Sequence, residues 1–495
     1  MDLVLVNPAS RAQVYQGLGT SLAAIEPPVW AALMAESVRR QGFSVELIDA
    51  DALGLSHEQT AARVDEIAPR LVAVVVYGHQ PSASTQNMPA AGAVTSALKQ
   101  LAPARPVLLV GGHVAALPER TLKEEDADFA CSGEGPYTLI GLVQALQSPV
   151  PRLDLVPDLW YREGAVLRFT RPAPLIKDLD GELPALAWEL LPMDRYRAHN
   201  WHAFGRPGRE PYAALYTTLG CPYKCTFCCI QAPFKSGEKA LGYAGSVNTY
   251  RLWSPARVAD QLEMLASRHG VTNVKIADEM FVLNPGHVRG LCQAIVDRGL
   301  DLNIWAYARV DTVRDDMLDL MRRAGVRWLA FGIEAGDEGV REDVDKGFGQ
   351  ELIFSTIEKV RRAGFHVIGN YIFGLPEDDH ASMQATLDMA MELNCEFANF
   401  YSTMAYPGSP LYGQAIASGW ALPPSWSGYS QHSVETLPLP TKHVSAAEVL
   451  RFRDRAFDTY FRSPRYLEMV ERTFGPATVA HVREMAAYTL VRNHA

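Results

Sequence analysis

Cys221-Pro222-Tyr223-Lys224-Cys225-Thr226-Phe227-Cys228 sets three cysteines at C-x3-C-x2-C spacing. The loop follows a short apolar run, AALYTTLG (213–220), that reads as a strand ending at Gly220. Thiolates are soft ligands that suit zinc or an iron–sulfur cluster. A structural zinc site draws on four protein ligands, usually as two short pairs. Here three thiols share one tight loop, and the adjacent Cys229 is expected to point elsewhere. Three protein ligands on a four-iron cluster leave one iron open, which is what a reaction centre needs. A zinc knuckle is the bland alternative.

Downstream of the loop, apolar runs at 272–278, 302–309, 328–335, 367–374 and 397–404 alternate with segments of helical periodicity. Several of those segments stop at glycine (Gly299, Gly325, Gly364). With the strand before the cysteines this makes (β/α)6, a partial version of the eight-fold TIM-type barrel. Function in such barrels gathers at the C-terminal strand ends. The residues there are polar: Asp278-Glu279, Arg309 with Asp311, Glu334, and Gly369-Asn370. An ion pair between Arg309 and a barrel-end carboxylate such as Asp278, or a structural pair at Glu334, is the alternative to ligand binding.

Upstream, the runs at 3–6, 45–48, 71–77, 107–112 and 127–131 alternate with helical segments and imply a parallel, doubly wound, Rossmann-like sheet. Ligands of such sheets sit at the carboxyl ends of the strands. That gathers the loops 7–16, 79–85, 111–115 and 133–137 around one pocket. Their paired glycines permit close approach of backbone to a ligand, or only shape tight turns. Residues 148–205 are proline-rich and read as an extended linker. The boundaries are then 1–147, 148–205, 206–410 and 411–495. The last region is aromatic and proline-rich up to Thr441, where Trp426, Tyr429, Gln431 and His432 could shape a substrate pocket over the mouth, then amphipathic over 446–462 and 464–491; a helical cap filling the open side of the barrel is the alternative, and the two are compatible.

Composition bounds the function. The chain has 495 residues, 48% of them hydrophobic and 21% charged, as expected of a multi-domain globular protein. The net charge of −10 argues against a nucleic-acid surface. Seven cysteines, three in one loop, fit a reducing compartment and a metal site better than a disulfide framework. No basic, apolar leader opens the sequence, and no apolar run is long enough for a membrane span. A cytoplasmic location is the expectation.

The cysteine loop, with Phe227 before its last cysteine, resembles the radical S-adenosylmethionine (SAM) superfamily. VGGHVAALPE (110–119) and ADFACSGEG (127–135) resemble the end of the cobalamin-binding domain that precedes the radical SAM domain in one large subfamily. The resemblance implies a 4Fe-4S cluster on Cys221, Cys225 and Cys228, with SAM chelated to the open iron. It implies corrinoid contacts from Gly111, Gly112, Gly133, Glu134 and Gly135. For SAM it nominates Phe227, Asp278 or Glu279 at the ammonium, and Arg309 at the carboxylate. It further nominates Glu334 in FGIEAG at the ribose, and Gly369, Ile372 and Gly374 in GNYIFGLPED at the adenine.

Domains that ligate cobalt through histidine carry Asp-x-His-x-x-Gly in the first strand-to-helix loop. Here Asp49-Ala50-Asp51-Ala52-Leu53-Gly54 has aspartate in place of the histidine and follows the second strand. A cobalamin without a protein histidine below the cobalt is therefore expected, with His79 and His113 as residual candidates. The implied function is a cobalamin-dependent radical SAM methyltransferase: SAM is reductively cleaved to a 5'-deoxyadenosyl radical, which takes hydrogen from an unactivated carbon, and methylcobalamin delivers the methyl. A non-methylating rearrangement or cyclisation is the alternative. A small-molecule substrate and an electron donor such as flavodoxin or ferredoxin are implied. The two strand-end faces are expected to dock against each other. No residue stands out as a general acid or base, and the substrate is not legible.

Overall fold

The computed structural model describes residues 1–78, 80, 82–206, 208–235 and 249–495. The first sheet is built from β1 (Leu3–Asn7), β2 (Val45–Asp49), β3 (Leu71–Val75), β4 (Val107–Val110) and β5 (Phe129–Cys131). These five run parallel in the order β2-β1-β3-β4-β5. β1, β3, β4 and β5 are buried along their whole length apart from Asn7, as near-continuous Val/Leu/Ala runs covered on both faces must be.

The segment expected as a plain linker adds two strands to this sheet. β6 (Leu159–Glu163) pairs antiparallel with β5, and β7 (Val166–Phe169) pairs antiparallel with β6. Gly164, with φ 60°, turns the hairpin. Its exposed, charged positions leave no unbroken apolar run in the sequence to mark either strand.

The second sheet comprises β8 (Tyr212–Leu215), then, past a two-residue antiparallel pair β9 (Thr218–Leu219) and β10 (Arg251–Leu252), β11 (Asn273–Ile276), β12 (Asn303–Ala308), β13 (Val326–Glu334), β14 (His366–Phe373) and β15 (Phe397–Ser402). All six main strands are parallel, in the order β8-β11-β12-β13-β14-β15. Helices such as Pro255–His269 and Gln350–Arg362 cover the outside. At the N-terminal end of the strands, Trp201 packs on Trp305, Trp328 and Phe397 at ring-centroid distances of 5.2, 5.5 and 5.7 Å and plugs the barrel. Function is left to the other end.

The cap carries a helix at Ala446–Phe461 that packs on β15. The expected single helix over 464–491 is instead two, Pro464–Phe474 and Pro476–Ala486. Gly475 takes φ 88° and Pro476 lacks an amide hydrogen, so the first helix cannot continue and the second starts there.

Candidate functional site

The C-terminal strand ends of the two sheets face one cavity. Gly112, His113 and Tyr77 line it from the first domain; Gly220, Cys229 and Glu279 line it from the barrel. Trp30 stacks on Tyr77 (4.3 Å) and reaches Tyr216 and Phe234, forming an aromatic wall.

Cys221, Cys225 and Cys228 are free, half-buried thiols on the barrel side of this interface. Burial holds all three thiols above their ordinary range, Cys221 at about 11. Among the described residues no three His, Cys, Asp or Glu side chains converge on one ion. A donor set of three soft thiols on one loop, near one another without meeting at a point, fits the corners of an iron–sulfur cube. Cys229 is buried behind them in the cavity wall.

Around the thiols stand groups of both signs. Arg309 Nη1 lies 3.9 Å from Cys225 Sγ, its guanidinium 4.2 Å over the Tyr223 ring, and its Nε donates to Asp311 at 2.8 Å. Its carboxylate partner is therefore Asp311, not Asp278. Glu334 ends β13 at a bulge, with φ 67°, and is ion-paired with the buried Lys346. Lys346 was not singled out in the sequence, since nothing in DVDKGFG marks it.

Asp278 and Glu279 part company. Asp278 is fully buried and accepts from Thr217 N (2.6 Å), Thr217 Oγ1 and Thr218 N (3.0 Å). Glu279 lines the cavity; its Oε2 has no hydrogen-bond partner among the described residues, and burial pushes its carboxyl up to about 8. Phe227 and Ile372 pack against the same small cluster, Ala335, Val340, Val344 and Leu375. Gly374 N donates to Asp378 (2.9 Å) at the turn leaving β14. Gly369 lies on the Tyr371 side of β14, where a Cβ would overlap that ring.

On the first domain, Gly111 sits where a Cβ would collide with the Val76 carbonyl at 2.2 Å, so β3 and the β4 turn approach as only glycine permits. Gly112 is the one of the pair that faces the cavity. Gly133 and Gly135 are hemmed by Asp158 and Met34. Glu134 is buried, paired with Arg251 (2.8 Å) and accepting from Ile176 N (2.8 Å), which ties the sheet to the barrel side. His113 is held by Thr85 (3.2 Å) and by the edge-on ring of Trp426 (4.4 Å), and burial lowers it to about 3. His79 lies outside the described residues. Asp49 caps a short helix through Ala52 N and Asp51 pairs with Arg11, so both aspartates of the shifted motif are structural. A backbone cradle of this kind, open to the cavity at Gly112, fits a flat macrocycle.

Comparison with known proteins matches this division. The B12 binding domain model matches residues 15–143 and the Radical SAM superfamily model matches residues 215–390. An uncharacterised methyltransferase of Pyrococcus horikoshii is 27% identical over 94% of each chain. The anaerobic magnesium-protoporphyrin IX monomethyl ester cyclase of Cereibacter sphaeroides is 26% identical over 83% of this chain and 63% of its own. The structure of the radical SAM methyltransferase TsrM from Kitasatospora setae, with cobalamin and a 4Fe-4S cluster, superposes with a TM-score of 0.67 at 16% identity, covering 97% of each chain. The cofactors that go with the two domains are a 4Fe-4S cluster, SAM and cobalamin. With both domains in one chain and in this order, the protein belongs to the radical SAM enzymes that carry a B12 binding domain.

Proposed function

We propose that the protein is a cobalamin-dependent radical SAM C-methyltransferase, acting on a small molecule held between its first domain and its barrel. The observation that carries this is the shared cavity, lined by the strand ends of both domains. When bound, the cofactors supply reductive cleavage of SAM to a 5'-deoxyadenosyl radical, which takes hydrogen from an unactivated carbon, and a cobalamin-borne methyl that replaces it. Each turnover then consumes two SAM and two electrons from a low-potential donor such as flavodoxin or ferredoxin. It releases S-adenosylhomocysteine, methionine and 5'-deoxyadenosine.

The chain's own residues bind and orient. Cys221, Cys225 and Cys228 hold the cluster. Of the two candidate acids, Glu279 meets the SAM ammonium, since Asp278 is taken up by Thr217 and Thr218. Arg309, braced by Asp311 and beside Cys225, meets the carboxylate. Glu334, fixed by Lys346, accepts from the ribose diol; Phe227, Ile372 and the β14 backbone flank the adenine. The Gly111-Gly112 turn would lie against the corrin, and His113 behind it is engaged by Thr85 and Trp426. The aromatic wall around Trp30 excludes water from the interval between them.

Kinship with a cyclase keeps a second reading, the non-methylating rearrangement. Anaerobic reconstitution with iron, sulfide and hydroxocobalamin, then product mass spectrometry with methyl-labelled SAM, reductant and a metabolite extract, separates the two. Labelled product with both 5'-deoxyadenosine and S-adenosylhomocysteine is expected. 5'-Deoxyadenosine in step with an unlabelled product would select the rearrangement.

A further inference from the structure

The barrel mouth holds a second set of polar groups that the roles above leave unused. Tyr307 follows Trp305 on the inner face of β12, the two rings 5.0 Å apart. Tyr401 is on the opposite face of β15 from Phe400, which stacks outward on Tyr371 (5.5 Å) and meets Tyr460 of the cap (5.5 Å). Tyr15, from the first loop of the first domain, lies 5.5 Å from the His432 ring and stacked on it. All four side chains keep accessible surface although they lie deep in the molecule, as groups facing an internal chamber do. The hydroxyls of Tyr15, Tyr307 and Tyr401 have no hydrogen-bond partner among the described residues, and neither has His432 Nδ1. The hydroxyls are near enough to raise one another's pKa, and burial keeps His432 neutral.

Five cations described near the chamber are already engaged. Lys275 is paired with Glu26, Lys346 with Glu334 and Arg309 with Asp311. On the cap side Arg453 and Arg492 share Asp454. Their remaining donors go to the carbonyls of Phe400, Gln431 and Ser433.

We infer that this chamber is the substrate site and that its substrate is an uncharged, ring-bearing molecule with hydrogen-bonding groups of its own. The inference rests on the reading of the enzyme given above. Phenol and imidazole rings offer faces for stacking. Three unpaired hydroxyls and an unpaired ring nitrogen would be left unsatisfied by an aliphatic guest. A carboxylate or phosphate would be desolvated with none of these paired cations free to meet it. An ammonium would compete for Glu279, the carboxyl given to SAM.

The test is binding of three near-isosteric probes: 4-hydroxyphenylacetamide (neutral), 4-hydroxyphenylacetate (anionic) and tyramine (cationic). The reconstituted holoprotein is used with SAM and no reductant, and affinity is read by saturation-transfer NMR. The amide is expected to bind on the order of tenfold more tightly than either charged probe. Y401F and Y15F should each weaken the amide several-fold without changing iron or cobalt content. Tighter binding of the acetate or of tyramine, equal binding of all three, no binding of any, or an amide affinity untouched by both variants would overturn the inference. Iron, cobalt and SAM binding are measured on the same samples. Their loss would fail the enzyme reading, whereas intact cofactors with a charged probe preferred would fail the substrate class alone.

Discussion

Two neighbouring carboxylates at the end of β11 show how little separates a structural group from a functional one. Asp278 is tied by three hydrogen bonds to Thr217 and Thr218, and Thr217 Oγ1 in turn lies 2.9 Å from His287 Nε2. Glu279 faces the cavity with an oxygen unpaired. A carboxyl raised to about 8 from 4.5 stays protonated in the fold where the unfolded chain ionises it. Its destabilising effect is thus absent below pH 4.5 and grows as pH rises towards 8. E279Q is therefore expected to raise the melting temperature of the cofactor-free protein by a few degrees at pH 8 and hardly at pH 5. An equal change at both pH values would mean that Glu279 is not an unpaired carboxyl. The sequence places both acids at the barrel mouth. It cannot choose between them, because the choice is made by backbone amides some sixty positions earlier.

At the scale of elements, strands covered on both faces were legible from their unbroken apolar runs, and the barrel helices from their period and glycine stops. A helical cap on the open side of the six-stranded barrel was legible too, and the helix at Ala446–Phe461 packs on β15, but the part taken there by the first domain was not. Residues following the first loop of the first domain run across to it: Ile25 bridges Arg197, and Glu26, 4% exposed, accepts from Tyr212 on β8 (3.0 Å) and from Lys275 on β11 (2.8 Å). Nothing local in AAIEPPV announces a glutamate destined for a barrel interior; its partner is 249 positions away. Taking one member from a buried pair leaves the other charge uncompensated, at about 3–5 kcal/mol, whereas replacing both with apolar groups is much milder. E26A and K275A should each lower the melting temperature sharply, and E26L/K275M should recover most of it. A double variant as unstable as the sum of the singles would show that the two charges act independently.

Across the whole molecule the two ends of the chain meet at the chamber. Gln16 Nε2 donates to His432 O and to Val491 O (3.2 Å), while Val491 N donates back to Gln16 Oε1 (3.2 Å). Ser430 Oγ donates to Val14 O (2.9 Å). The knot is Arg492, whose guanidinium spans both Asp454 oxygens, the carbonyls of Gln431 and Ser433, and Thr436 Oγ1. One side chain thus joins the cap helix, the aromatic cap loop and the C-terminal strap, and through Gln16 the loop that presents Tyr15. R492A cuts five donor contacts at the junction of these segments, so local opening there becomes easier while the sheets are untouched. Amide hydrogen exchange is expected to rise together over 10–17 and 426–436, with strands β3, β4, β13 and β14 unchanged. The variant should still bind iron and cobalamin, since Cys221, Cys225, Cys228 and Gly112 take no part in the knot. Faster exchange confined to the last residues would mean that the strap rides on the surface and holds nothing. Concerted exchange of both loops would make Arg492 the residue that sets how firmly the chamber is closed.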